Sequence, residues 1–212
     1  MKKLEKRSFV CEVRAESKDG IAILTGRPVV YNQLTDLGFF DEMIDVGALD
    51  NTDLKDVRFL VNHDISKIPL ARSRRNNENS TMHLTADSEG LSLDWVKLDI
   101  ENNADAKALY SAVQRGDISG MSFMFSVKDD TWDNLDSDHP TRHITEIGSI
   151  VEVSAVTFPA YEQTEINARD AAALDSARAA LDKARETRHL EAVETDISTS
   201  ELDLLKEKSK LY

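Results

Sequence analysis

Apolar and polar side chains alternate through "SFVCEVRAE" and again through "GIAILTGRPVVYN", with "KDG" between the two runs. A period of two places every second side chain on one face of a strand, so these runs predict a hairpin of half-buried strands. "LSLDWVKLDI" at 91–100 repeats the pattern, with Leu91, Leu93 and Trp95 on one face and a Glu89-Gly90 turn before it. "GMSFMFSV" and "SIVEVSAVTFPAY" are again of β type, and "KDDTWDNLDSDHPTRH" between them reads as an acidic, turn-rich connection. One segment changes period. In "NNADAKALYSAVQRG", Ala104, Ala108, Leu109, Ala112 and Val113 fall at helical spacing, with Asn103 as N-cap and Gly116 as the stop.

After about residue 166 the composition shifts to "NARDAAALDSARAALDKARETRHLEAVE", rich in alanine and charge, with Leu174, Leu181 and Leu190 as its few large apolar residues. It reads as a helical arm over 166–212 appended to a domain over 1–165, and Ser198 with Glu201 has the spacing of a capping box for a last short helix. A length of 212 residues suits one substantial domain with an appendage. The net charge of −13 offers no polybasic surface for phosphates, so nucleic acid and anionic membrane are not expected as partners. No run approaches the roughly 18–20 apolar residues that span a bilayer, and "MKKLEKRSF" lacks the apolar core of a secretory signal. The single cysteine, Cys11, excludes an intramolecular disulfide and suits a reducing compartment.

Three places stand out chemically. His63 follows a short apolar run in "FLVNHD", where it is either a packed structural residue or a proton carrier. Ser122 in "RGDISGMSFMF" shares a strand face with Met124 and Ser126, held outward by Met121, Phe123 and Phe125 on the other face; a plain strand serine bonded to a backbone carbonyl is the alternative. Glu152 sits in the strongly apolar "IVEVSAVTF", and alternation groups it with Ile150, Ser154 and Val156. A buried carboxylate needs a partner; Glu152 is either on the wet face of an edge strand or orients an imidazole, as in a Ser-His-acid triad. No cofactor or metal site is expected: the five histidines lack His-Glu-x-x-His spacing, and Asp129, Asp130, Asp133, Asp136 and Asp138 do not fit a calcium loop.

Taken together, "LTGRPVVYN", "FFDEMIDVGALD", "VRFLVNHD", "GLSLDWVKL", "ALYSAVQRGDISGMSFMF" and "EVSAVTFPAYEQTEI", in that order, resemble the prohead (capsid maturation) proteases of tailed bacteriophages of the HK97 type. That family is similar to the herpesvirus assemblins. The resemblance implies an α+β fold with a β-barrel-like core of mainly antiparallel strands and surrounding helices. It implies a serine endopeptidase in which His63 matches the catalytic histidine and Ser122 the serine of the Gly-x-Ser-Phe strand, while Ser119 lies where varied polar residues occur. Glu152 is the expected third member, with His143 and Glu146 as alternatives, and the loop near Pro159 and Ala160 is the expected source of oxyanion donors. The implied substrates are the scaffold segment of the major capsid protein and the protease itself, inside the procapsid in the host cytoplasm, with homo-oligomerisation open. The rival reading is a non-enzymatic internal scaffold built on a protease-like domain.

Overall fold

The alternating runs become strands that sort into two sheets in the computed structural model, which describes residues 4–9, 13–18, 21–157 and 175–190. The strands are β1 (Glu5–Phe9), β2 (Arg14–Lys18), β3 (Ile21–Val30), β4 (Thr35–Asp36), β5 (Asp41–Ile44), β6 (Arg58–Val61), β7 (Ala71–Arg72), β8 (Met82–Asp87) and β9 (Gly90–Leu98). Helix α1 (Ala104–Arg115) follows, then β10 (Gly120–Asp133) and β11 (Thr141–Val156), and a helix α2 over residues 175–190. The larger sheet runs β1-β10-β11-β5-β4, with β6 joining β11 to β7; the smaller runs β2-β3-β9-β8. The fold is α+β and mostly sheet. The expected hairpin is β2–β3, but the barrel-like core is corrected. Closure needs a continuous ladder, whereas the first alternating run divides, β1 pairing with β10 and β2 with β3, so each sheet keeps its own edges. The two sheets instead share a core: Leu24, Leu91 and Leu93 of the smaller meet Phe59, Phe123, Phe125 and Val153 of the larger, with Leu109 and Val113 of α1.

Two bulges revise the expected faces. Leu84 pairs with Leu93 but His83 with Trp95, so Asp94 is an extra residue. Beyond it Val96 and Leu98 take over the core face, and Trp95 turns to stack on His83, ring centroids 5.7 Å apart. Likewise Met124 pairs with Glu152 but Phe125 with Ile150, leaving Val151 extra. Ile150 therefore joins Phe123, Phe125 and Val153 in the core, while Glu152 and Ser154 occupy the opposite face. α1 begins at Asn103, whose side chain accepts from the amides of Asp105 and Ala106, and ends at Gly116 with φ 77°. Its buried face is Ala106, Leu109, Tyr110 and Val113, and not the one through Ala104 and Ala108. The acidic connection shrinks to residues 134–140, because β10 and β11 pair almost to their tips.

Those long strands carry a buried ion network that the sequence did not disclose. Arg7 on β1 reaches Glu42 Oε2 on β5 (2.7 Å) and Glu5 Oε2 (2.7 Å). Arg142 on β11 reaches the same two carboxylates (3.0 and 2.9 Å) and Asp130 Oδ2 on β10 (2.6 Å). Burial pushes the Glu5 carboxyl up, yet the charges of Arg7 and Arg142 outweigh it and hold it below its ordinary value of 4.5. Its stabilising contribution is therefore present above that value and lost as pH falls through the lower folded one. Removing one member leaves buried charges without partners. Arg142→Ala is expected to lower stability by about 3–5 kcal/mol, read from the urea midpoint at neutral pH; a change below about 1 kcal/mol would place this network in the weakly coupled surface class.

α2 packs Ala177 and Leu181 against Phe40 and Leu135, and Arg185 donates to the carbonyls of Leu135 and Ser137. This stretch of the expected arm is thus a packed helix. The expected boundary at 165/166 and the capping pair Ser198 and Glu201 lie outside the described residues.

Candidate functional site

Phe59, fully buried in the core, sets the register of β6, which runs parallel to β11 with Leu60 beside Ser154 and Val61 beside Ala155. The chain then reverses sharply: the Asp64 amide donates to the Val61 carbonyl (3.1 Å), and both central residues, Asn62 and His63, have positive φ (52° and 57°). This is the pattern of a type I′ turn. Asparagine tolerates that conformation, but a histidine in it costs on the order of 1–2 kcal/mol. Asn62 clips the turn to the end of β11, its Oδ1 accepting from the Thr157 amide (2.9 Å) and its Nδ2 donating to Thr157 Oγ1 (3.0 Å). Asp64 closes the far side by accepting from the Ser66 amide (3.1 Å). Asn62→Ala, which loses both the clip and the tolerance for positive φ, is expected to cost about 1–2 kcal/mol. Asn62→Gly should cost less, and thermal midpoints ranked in the reverse order would contradict this account of the turn.

The turn delivers His63 onto β11. Its Nδ1 lies 2.5 Å from Glu152 Oε1, with side-chain exposures of 10% and 3%. Glu152 Oε2 accepts from Ser154 Oγ (2.6 Å), and Ser154 Oγ accepts from the backbone amide of His63 (3.2 Å). A carboxylate beside Nδ1 makes that nitrogen the donor, which leaves Nε2 of the neutral ring as an acceptor. Nε2 is buried and has no hydrogen-bond partner among the described residues. That is the arrangement of an imidazole held at one nitrogen and free to take a proton at the other.

Ser122 on β10 is the register partner of Ser154 and shares its face, which puts their Cβ atoms about 4.5–5.5 Å apart. The stacked rings of Phe123 and Phe125, centroids 4.6 Å apart, help fix this strand. The expectation that Ser122 is held outward needs correction, because it is fully buried on the face away from the core. Its Oγ donates to the carbonyl of Arg7 on β1 (2.8 Å), and not to His63. Ser119 is exposed and precedes β10; continued alternation would place it with Met121, on the side opposite Glu152. The two alternative third members are engaged elsewhere, His143 with Asp45 (3.0 Å) and Glu146 with Lys128 (2.6 Å). Pro159 and Ala160 lie outside the described residues. Sequence reasoning missed Asn62, Thr157 and Ser154 as parts of the site. The available signals were the Glu-x-Ser spacing, which places Ser154 beside Glu152 on a strand, and the Asn-His-Asp run at 62–64.

Asp36, Asp41 and His139 bring their ligand atoms within 4.8 Å of one another, but they are largely exposed groups at the other end of β11. Exposed carboxylates are common without an ion, and His139 already contacts Asp41 (3.2 Å). No helix among the described residues is long and apolar enough to cross a membrane.

Against this geometry, the model of one protein family, described as caudovirus prohead serine protease, matches residues 9–177. No curated protein and no solved structure matches the chain.

Proposed function

The chain belongs to the caudovirus prohead serine protease family, and on that premise we propose that it is a serine endopeptidase in which Ser122 is the nucleophile, His63 the general base and Glu152 the carboxylate that orients it. The observation that carries this reading is the His63 ring, bound to Glu152 at Nδ1 and, among the described residues, unpartnered at a buried Nε2, on the sheet face that also bears Ser122. Ser122 must first leave the Arg7 carbonyl. A rotation of χ1 to another staggered well gives up one neutral hydrogen bond worth about 1 kcal/mol.

Nε2 then takes the Ser122 proton as Oγ bonds to the substrate carbonyl carbon. Collapse of the tetrahedral species breaks the C–N bond, and Nε2 returns the proton to the leaving amine. Water attacks the acyl-enzyme by the same proton route, restoring Ser122 and releasing the new carboxyl group. Glu152 keeps Nδ1 protonated throughout and stabilises the imidazolium while it exists.

The substrates that fit this reading are the scaffold segment of the major capsid protein and the chain itself, cut inside the procapsid in the bacterial host; no cofactor enters the chemistry. A likeness to herpesvirus assemblins would rest on the same elements, a histidine after a short strand and a serine within one. The buried Ser122 hydroxyl, already bonded to Arg7, favours a second reading as an internal scaffold without activity. Co-expression with the cognate capsid protein, followed by intact-mass analysis, separates the two. Loss of an N-terminal or C-terminal capsid segment with the wild type and not with His63→Ala is the expected result; an uncut capsid protein that still assembles favours the scaffold.

A further inference from the structure

Ser154 is a fully buried hydroxyl with one proton, and its neighbours fix where that proton goes. The His63 amide donates to Ser154 Oγ (3.2 Å), so the hydroxyl is the acceptor there, and its own hydrogen is directed to Glu152 Oε2 (2.6 Å). Glu152 is left with Oε1 for His63 Nδ1. Ser154 thus closes a ring of contacts, from the backbone of His63 through its own Oγ and the Glu152 carboxylate back to the side chain of His63. That ring restrains a residue whose positive φ is intrinsically unfavourable. Because its proton is committed to Glu152, Ser154 is also distinguished from Ser122 as a nucleophile although the two are register partners.

We propose that Ser154 is a positioning residue for the peptidase reaction, fixing the orientation of Glu152 and, through it, of the His63 ring. This rests on the endopeptidase reading above. Around metal ligands, loss of an outer-shell group that orients a ligand lowers affinity or activity by about 10- to 100-fold, and by analogy a loss of that order is expected for the hydroxyl that orients Glu152.

The test uses the full chain and its Ser154→Ala, Ser154→Thr, Ser154→Cys and Glu152→Gln variants. Proton NMR in the low-field region observes the Nδ1 proton of His63 shared with Glu152, identified by its absence in Glu152→Gln. The expected result is a low-field resonance in the wild type that moves or broadens in Ser154→Ala and returns in Ser154→Thr, which keeps the hydroxyl. With it, kcat should fall about 10- to 100-fold in Ser154→Ala with KM little changed, and recover in Ser154→Thr. If the alanine variant does not fold, Ser154→Cys serves, being close in size and a poorer donor. A resonance and a kcat unchanged in the variant lacking the hydroxyl donor would overturn the proposal. A wild type without cleavage activity would overturn the peptidase reading instead, and the resonance would still decide whether Ser154 orients the pair.

Discussion

Ser122→Ala is expected to abolish cleavage while leaving the protein folded. The substitution removes one oxygen from a strand anchored by Phe123 and Phe125 in the core, and the bond lost is a single neutral one to the Arg7 carbonyl. The structural cost is therefore on the order of 1 kcal/mol, whereas loss of a nucleophile from a serine-protease triad lowers kcat by about six orders of magnitude. Ser119→Ala, made beside it, should retain activity, since Ser119 is exposed and stands before the strand begins. Turnover of a capsid-derived peptide, with circular dichroism to confirm folding, checks both variants. Activity lost in the second and kept in the first would move the nucleophile to Ser119.

Glu152→Gln is the second substitution with a large expected effect, and the contacts around it say why. Ser154 Oγ, accepting from the His63 amide, has its hydrogen to give, so it selects the carbonyl oxygen of the new amide. The NH2 group is then turned toward His63 Nδ1, which becomes the acceptor, and Nε2 carries the proton. That is the wrong tautomer for a general base, and the corresponding change in the Ser-His-Asp template costs about four orders of magnitude in kcat. Glu146→Gln and His143→Ala should be nearly silent in turnover, because their side chains are bonded to Lys128 and Asp45. A large loss confined to His143→Ala would instead assign the third role to a second histidine.

Much of the scaffold around this site was legible because its determinants are local. Asn103 and Gly116 bound a helix by capping and by a left-handed C-terminus, and both do so in the structure. The juxtaposition of His63 and Glu152 was legible for a different reason: a carboxylate inside an apolar strand signals a partner without naming it, and the family resemblance supplied His63 as that partner. The bulges at Asp94 and Val151 were not, since one extra residue shifts the facing of every later side chain without altering the composition. Nor was the Arg7–Glu42–Arg142 network. Its members are scattered in sequence, and each looks like an ordinary surface charge until β1, β10, β11 and β5 are joined in one sheet. The separation into two sheets follows from the same kind of non-local pairing, with β1 and β2 adjacent in the chain yet committed to different partners.

The central claim is that Ser122 is a nucleophile activated by His63, and a fluorophosphonate probe reacts preferentially with serines so activated. Treatment of the wild type, His63→Ala and Ser122→Ala proteins, followed by peptide mapping, reads that state at the residue itself. The account predicts a single phosphonylated residue, Ser122, in the wild type, and none in either variant. A label on Ser119 or Ser154, or equal labelling of Ser122 with and without His63, would contradict it.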